Sequence, residues 1–255
     1  MRTALLCERW ELPFDVELKT ESDRNLRNRS YLHYVSEHMP MVAAKCWATK
    51  WLLEDILDTS KEYSVREYMA GVGVQSVLIQ NLFKVKQHIV SEIDNECAEH
   101  LMKLPFDLQV LIGDAKQSLL LEDNSDLKFL DFPSSSIVQI MNNWKDGFYN
   151  LFTSKPELVV WTDTSVTYPI SLHREKYSQI LGGAPMLTKD DYVDRYSNWL
   201  FRNFGYSIIK AAYRGRNAVY FAAVKGIHKT EFKHFSIDEN KNGFYFLEGT
   251  LHDYT

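Results

Sequence analysis

The sequence predicts an α/β fold, in which a mixed seven-stranded sheet carries helices on both faces and includes a C-terminal antiparallel hairpin. Between residues 65 and 162, short apolar strands alternate with helical segments, which is the pattern of βαβ units and a parallel sheet. Two further apolar runs, at 206–213 and 218–224, surround a short polar turn that contains a glycine, and this arrangement is typical of a hairpin.

The individual elements follow from hydrophobic periodicity and from turn residues. The predicted strands are 65–69, 88–93, 109–112, 127–131 and 158–162, and the predicted helices are 73–83, 95–103, 136–151 and 192–204. Gly205 is a suitable stop for the last helix. The crossovers between parallel strands are expected to be right-handed, so that helices cover both faces of the sheet.

The regions on either side of this core are predicted to be appendages of a domain that spans 61–227. Residues 1–60 are interpreted as an N-terminal arm and helical extension, with one or two helices over 31–57 and a break near Pro40. Residues 17–30 carry many charges and form either a solvated surface arm or a phosphate-contacting arm. Residues 228–255 are interpreted as a small β extension with a second hairpin, formed by 235–237 and 244–247.

Composition narrows the class of protein. The chain has 255 residues and a net charge of −5, which argues against a polycationic nucleic-acid coat but allows a local basic patch. Cys7, Cys46 and Cys97 lie far apart, without a disulfide or zinc pattern, and favour a reduced, intracellular (cytoplasmic) setting. We expect no membrane partner, because no apolar run approaches the ~20 residues that span a bilayer and the N-terminus does not resemble a signal peptide.

Four consecutive strands are each followed by, or end in, an acidic residue. These residues are Glu67, Glu92, Asp114 and Asp131. Because ligands of parallel α/β sheets bind at the carboxyl ends of the strands, the four carboxylates are expected to line one rim. Carboxylates suit sugar hydroxyls, exocyclic amines and a cationic group of a ligand.

A glycine turn follows the first of these acids. Gly71 and Gly73 allow the backbone to turn sharply and to approach a ligand closely, since glycine has no Cβ. The helix that follows would direct its N-terminal amides toward whatever occupies the turn. A glycine pair alone is weak evidence, but together with the four acids it indicates a nucleotide-like ligand.

With these motifs, the chain resembles the class I S-adenosylmethionine-dependent methyltransferases over about residues 65–225. The stretch Glu-Tyr-Met-Ala-Gly-Val-Gly at 67–73 resembles the first motif of that family, in the form found in amino-methyltransferases that act on nucleic-acid bases. The resemblance implies a Rossmann-like fold, S-adenosylmethionine as cofactor, and a nucleic acid, DNA or RNA, as the substrate.

The resemblance also implies residues that bind the cofactor. Glu67 and the turn that contains Ala70, Gly71 and Gly73 would hold its amino-acid end. Glu92 would bind the ribose hydroxyls, and Asp114, followed by Ala115, would meet the adenine amine. A segment at 45–53 resembles one in adenine methyltransferases, where a lysine, here Lys45, lies over the methionine part of the cofactor.

The fourth motif would carry the chemistry, and it departs from the family pattern. It reads Asp131-Phe132-Pro133-Ser134, so an acid and one proline are present but the final aromatic residue is missing. The resemblance implies that Asp131 and Pro133 are catalytic and that Phe132 and Ser134 contact the substrate. A stacking ring for a flipped base would come from Phe132 or Tyr168. Arg214, in the hairpin turn, is a further candidate for substrate contact, and the chemistry needs no metal.

Three other interpretations stay open. The irregular fourth motif is compatible with a catalytically degenerate subunit that keeps the fold for binding or assembly. A methyltransferase for a small molecule or a protein is compatible with the net negative charge. An NAD-dependent dehydrogenase would use Gly71 and Gly73 in a Gly-x-Gly-x-x-Ser stretch, with Glu92 as its ribose acid, although the closing hairpin argues against that class. The sequence does not determine the oligomeric state.

Overall fold

The computed structural model describes residues 39–130, 145–163, 189–214, 218–239 and 245–252. Helices and strands alternate through the first half of these ranges, as the sequence predicts. The helices are α1 (Met39–Leu53), α2 (Val74–Leu82), α3 (Asn95–Leu101), α4 (Ala115–Ser118), α5 (Lys145–Thr153) and α6 (Lys189–Phe204). The strands are β1 (Glu62–Tyr68), β2 (Lys84–Glu92), β3 (Leu108–Ile112), β4 (Leu127–Leu130), β5 (Leu158–Asp163), β6 (Tyr206–Arg214), β7 (Ala218–Lys225), β8 (Glu231–Glu239) and β9 (Tyr245–His252).

The strands of the described ranges form one mixed sheet in the order β3-β2-β1-β4-β5-β7-β6-β8-β9. The first five strands run parallel to one another. β7 is antiparallel to both β5 and β6, which confirms the predicted hairpin. The chain builds outward from β1 to β3 and then returns to place β4 on the other side of β1. Such a reversal opens a crevice at the carboxyl ends of the strands, where α/β proteins bind ligands.

The predicted fold class is confirmed, but the sheet is larger than the seven strands expected. β8 pairs parallel with β6, from Lys210 opposite Glu231 to Arg214 opposite Phe235. β9 then pairs antiparallel with β8. The second hairpin is therefore longer than the sequence indicates, and it extends the main sheet. The predicted domain boundaries, which enclose residues 61–227, stay a prediction. The pairing of β8 with β6 joins strands on the two sides of the second boundary.

The core lies on both faces of the sheet because the side chains of β1 alternate between them. Tyr63 and Val65 pack in one cluster with α1 and with Ile79 of α2. Tyr68 belongs to the opposite cluster, which includes Trp161 and the buried sides of α5 and α6. Helices therefore cover both faces, as predicted. None of the helices within the described ranges is long and apolar enough to cross a membrane.

Two neighbouring residues of β1 bury opposite charges on opposite faces of the sheet. Arg66 is 3% exposed, and its Nη2 donates a 2.8 Å hydrogen bond to Oγ of Ser91. Glu67 is 2% exposed, and its Oε2 accepts a 2.6 Å hydrogen bond from Oγ of Ser76 on α2. Charged groups are seldom buried this fully without polar partners, so both environments are specific to these side chains.

Helix α1 is tied to the far half of the sheet by a buried lysine. Nζ of Lys210 on β6 donates to the carbonyl oxygens of Trp51, at 2.8 Å, and Glu54, at 2.5 Å, near the end of α1. A cation there complements the unpaired carbonyls and the negative end of the helix dipole. Burial lowers the pKa of Lys210, and nearby carboxylates oppose that change. Pro40 lies in the first turn of α1, where its missing N–H is not needed. The predicted break near Pro40 stays a prediction, because residues 31–38 lie outside the described ranges.

Candidate functional site

The carboxyl ends of the parallel strands meet at one rim, and strand register aligns them. Tyr68, the last residue of β1, pairs with Ser91 of β2 and with Leu130 of β4. Glu92, the last residue of β2, pairs with Ile112 at the end of β3. The predicted turn and the acids of the second and third strands are therefore neighbours in space. They form a rim built from three adjacent strands.

The turn between β1 and α2 requires its glycines for two different reasons. Met69, Gly71 and Gly73 all have positive φ angles, of 60°, 58° and 84°, a region that glycine adopts without steric cost. A Cβ on Gly73 would also lie 2.7 Å from side-chain carbons of Leu101 and Leu104. The turn is thus packed directly against α3 and the loop that follows it.

Hydrogen bonds within the protein hold this turn closed. The Ala70 amide donates to the carbonyl oxygen of Ser91 at 3.1 Å, and the Gly73 amide donates to that of Ala70 at 3.0 Å. Gly73 is the N-cap of α2, and no side chain caps that helix. The N-terminus of α2 therefore keeps the partial positive charge of a helix start beside the turn.

Glu92 is the acid that organises the rim. Its carboxylate is 8% exposed, and its Oε2 accepts a 2.7 Å hydrogen bond from the Gly71 amide. Its Oε1 accepts hydrogen bonds from the amides of Ile93 and Asp94, at 2.8 and 3.0 Å. A carboxylate offers about four acceptor positions, so about one remains for a ligand hydroxyl. The Gly71 amide, in the turn that the resemblance assigns to the amino-acid end of the cofactor, donates to Glu92.

Glu67 lies behind the turn, toward the interior of the protein. It precedes the last residue of β1, and its Oε2 contacts Oγ of Ser76 at 2.6 Å and Nε2 of the buried His88 at 3.3 Å. Both contacts are to Oε2, and no hydrogen bond from the described residues reaches Oε1. The acid of the first strand is thus much more deeply buried than a residue of an open rim would be. The buried histidine beside it was not identified from the sequence.

The third strand contributes Asp114 and Ala115. The amide of Gly113 donates to the carbonyl oxygen of Glu92 at 2.8 Å, which joins this loop to the end of β2. Asp114 is half-buried, and its carbonyl oxygen accepts the amide of Ser118 at 3.0 Å, at the start of α4. Ala115 is buried in the core cluster that contains Tyr68. Ala115 is therefore a packing residue of this loop, while Asp114 lies beside the rim.

Two isoleucines next to these acids are unusually exposed. Ile93 follows Glu92 and is 67% exposed, and Ile112 ends β3 and is 55% exposed. Apolar side chains of this size at neighbouring strand ends offer surfaces that a flat, apolar ring could cover. Neither isoleucine was predicted from the sequence to be a site residue, although each stands within two residues of a strand-end acid.

A second group of buried charges lies under the rim, on the face of Arg66. Nζ of Lys128 contacts Oδ2 of Asp123 at 3.2 Å, and Arg66 stacks over the ring of Tyr68. Burial lowers the pKa of Lys128, and the adjacent Asp123 opposes that change. For Asp123, burial is outweighed by hydrogen bonds from Ser125 and by Lys128, so the pKa of its carboxyl is lowered. Burial raises the pKa of the Tyr68 phenol.

Several predicted site residues lie outside the described residues. These are the fourth-motif residues Asp131, Phe132, Pro133 and Ser134, together with Tyr168. Lys45 lies on α1, and Arg214 is the last residue of β6. Within the described ranges, no group of three or more histidine, cysteine or acidic side chains could hold a metal ion.

Comparisons with known proteins agree on the fold. No family model and no curated protein matches the sequence. Trm1 from Pyrococcus horikoshii, solved with S-adenosyl-L-methionine, is 13% identical with a TM-score of 0.55, and the match covers 85% of this chain and 65% of that one. An S-adenosylmethionine-dependent methyltransferase from Clostridium acetobutylicum is 11% identical with a TM-score of 0.50, covering 77% and 98%. The chain has the fold of the S-adenosylmethionine-dependent methyltransferases.

Proposed function

We propose that this protein is an S-adenosylmethionine-dependent methyltransferase that acts on an amino nitrogen of a nucleic-acid base, in DNA or RNA. The observation that carries the proposal is the hydrogen bond between Gly71 and Glu92. It joins the glycine turn to the acid of the second strand, on a sheet with the methyltransferase fold. Because the cysteines favour a reduced setting, we propose an intracellular location as well.

The described residues fit such a cofactor. Glu92 retains acceptor capacity for a ribose hydroxyl, and Asp114 lies on the neighbouring loop, where it would accept from the adenine amine. Ile93 and Ile112 expose apolar surface for the adenine ring. Oε1 of Glu67, which has no donor among the described residues, would accept from the cofactor ammonium group. Each of these groups matches the chemistry of one part of S-adenosylmethionine.

The catalytic task proposed for the protein is alignment. When bound, S-adenosylmethionine supplies a methyl group on a sulfonium, which is already a good electrophile. Asp131 would accept hydrogens of the amine that attacks, so that the nitrogen lone pair points at the methyl carbon. The same carboxylate would stabilise the positive charge that grows on that nitrogen. No metal takes part in these steps.

The nucleic-acid substrate is supported by sequence features. The first motif has the Glu-x-x-Ala-Gly-x-Gly form of amino-methyltransferases for bases, and Asp131 occupies the position of their catalytic acid. The sequence offers Arg24, Arg27 and Arg216 as candidates for phosphate contacts. A base within a duplex would first have to be flipped out, which costs a few kcal/mol.

Two measurements test the proposal in sequence. Thermal unfolding with S-adenosylmethionine and, separately, with NAD should show stabilisation by the first ligand alone. Stabilisation by NAD alone would overturn the proposal. The protein is then incubated with methyl-labelled cofactor and a mixture of DNA, RNA and protein, and label is expected in a nucleic-acid fraction. Label in the protein fraction would support methyl transfer but would overturn nucleic acid as the substrate class.

A degenerate binding subunit is the second candidate. It is favoured by the fourth motif, Asp131 to Ser134, which lacks the aromatic residue that would stack on a flipped base. Such a subunit would bind the cofactor through the same rim without transferring its methyl group. Cofactor binding without label in any fraction would favour this candidate over the enzyme.

A further inference from the structure

The least expected group near the site is the buried polar chain behind Glu67. Ser76 of α2 and His88 of β2 contact its carboxylate, and Gln80 of α2 contacts His88 in turn. His88 is 1% exposed and Ser76 is fully buried. Burying polar groups this fully costs free energy unless the groups interact with one another. The interactions of these buried polar groups therefore restrain the Glu67 side chain.

Both contacts to Glu67 use the same carboxylate oxygen. Oε2 accepts from Oγ of Ser76 and lies 3.3 Å from Nε2 of His88, whereas Oε1 has no donor among the described residues. The Nε2 contact lacks the alignment of a hydrogen bond. His88 therefore restrains Oε2 by close packing, and it leaves Oε1 as the acceptor for an added donor.

Gln80 sets the orientation of the histidine ring. Its side-chain nitrogen lies 3.1 Å from Nδ1 of His88. With the Gln80 amide donating to Nδ1, the ring hydrogen is on Nε2, the nitrogen that faces Glu67. A positively polarised N–H thus lies close to Oε2, without the alignment of a hydrogen bond, and the carboxylate is held between α2 and β2.

We propose that His88 is a positioning residue, which fixes the Glu67 carboxylate so that Oε1 can accept from the ammonium group of the cofactor. This inference rests on the proposed function, because it requires a cofactor that carries an amino-acid end. It predicts that His88 and Gln80 strengthen the binding of the amino-acid end of the cofactor. They would contribute nothing to the binding of the adenosine part.

The test compares two ligands that differ in this end. Isothermal titration calorimetry gives the Kd of S-adenosylmethionine and of 5′-methylthioadenosine, which lacks the amino-acid group. In His88→Leu, S-adenosylmethionine should bind about tenfold more weakly, the size of one lost charged hydrogen bond, while binding of the truncated ligand stays within about twofold. His88→Gln, which can still place an N–H near Oε2, should recover part of the loss.

The controls separate a fold defect from a positioning defect. His100→Leu makes the same replacement on α3, away from Glu67, and should leave both Kd values unchanged. If His88→Leu does not fold, Gln80→Leu removes the partner of Nδ1 at a half-buried position and should shift the ratio of the two Kd values in the same direction.

The outcomes distinguish the two proposals. If the unaltered protein binds S-adenosylmethionine, but folded His88 and Gln80 variants weaken both ligands equally or neither, the positioning role is overturned and the proposed function stands. If the unaltered protein binds neither ligand, the proposed function fails and the inference fails with it.

Discussion

The backbone amide of Gly71 donates a 2.7 Å hydrogen bond to Oε2 of Glu92, so the acid that ends β2 holds the turn that follows β1. The same carboxylate accepts the amides of Ile93 and Asp94. Glu92 therefore has a structural task in addition to the ribose contact proposed for it. Its replacement should affect both folding and ligand binding.

Glu92→Ala should lower the free energy of unfolding by about 1.5–3 kcal/mol, because three amides lose a charged acceptor in a nearly buried place. It should also weaken binding of S-adenosylmethionine, since the ribose loses a charged partner. Urea denaturation and calorimetry measure the two effects. Glu99→Ala, at an exposed position on α3, is the matched control and should change neither. Equal stability of the two variants would contradict the structural task.

Gly73→Ala should destabilise the protein by about 1–3 kcal/mol, because the added Cβ meets Leu101 and Leu104 at 2.7 Å and the residue must keep a positive φ angle. Gly113→Ala is the control, since a Cβ there meets nothing within 4 Å. Thermal unfolding of the two variants gives the comparison. A Gly73→Ala protein as stable as Gly113→Ala would show that the turn is not packed as described.

Asp126 should support stability in a pH-dependent way. Burial opposes ionisation, but hydrogen bonds from Ser64 and the nearby Lys86 outweigh it and lower the pKa of Asp126 below 3.8. A folded-state pKa below the unfolded value gives a stabilisation that is complete above the unfolded pKa and is lost as pH falls through the folded one.

Asp126→Asn should therefore cost stability at pH 7, and the difference from the unaltered protein should shrink as the pH falls below 3.8. Urea denaturation at pH 7, 5, 4 and 3 measures the difference. Asp107→Asn, in the exposed loop before β3, serves as the control. A difference that stays constant over this range would argue against the lowered pKa.

Asp131→Ala should abolish methyl transfer and leave the affinity for S-adenosylmethionine nearly unchanged, because the proposed role of Asp131 is directed at the substrate amine. Transfer is followed with labelled cofactor, and affinity by calorimetry. Asp131→Asn keeps one acceptor oxygen and should retain more activity than the alanine variant. Full activity of the Asp131→Ala variant would show that Asp131 is not a catalytic residue.

The parallel part of the fold was predictable because buried strands between helices leave a strong pattern of apolar runs. Errors occurred where strands leave the core. β2 begins at Lys84, four residues before the predicted start, and Lys84, Lys86 and Gln87 are exposed, so no apolar pattern marks them. The pairing of β8 with β6 is a contact between distant parts of the chain, which local periodicity does not encode.

At the candidate site, the sequence indicated the glycine turn and the acids but not their internal partners. Glu92 was predicted to meet a ribose, yet its hydrogen bond to Gly71 depends on strand register, which pairs β2 with β1. His88 gave no signal, because a single histidine in a strand is compatible with many roles. Its proximity to Glu67 emerges only once β1 and β2 lie side by side.

Arg66 and Glu67 are buried on opposite faces of the sheet, and this arrangement also affects how the strands align during folding. If β1 slipped by one residue against its neighbours, every side chain would move to the other face. The guanidinium would then enter the pocket of Ser76 and His88, and the carboxylate would move to the face of Ser91 and Lys128. Such mispaired sheets are penalised by charge as well as by packing, so these two residues act as a check on alignment during folding.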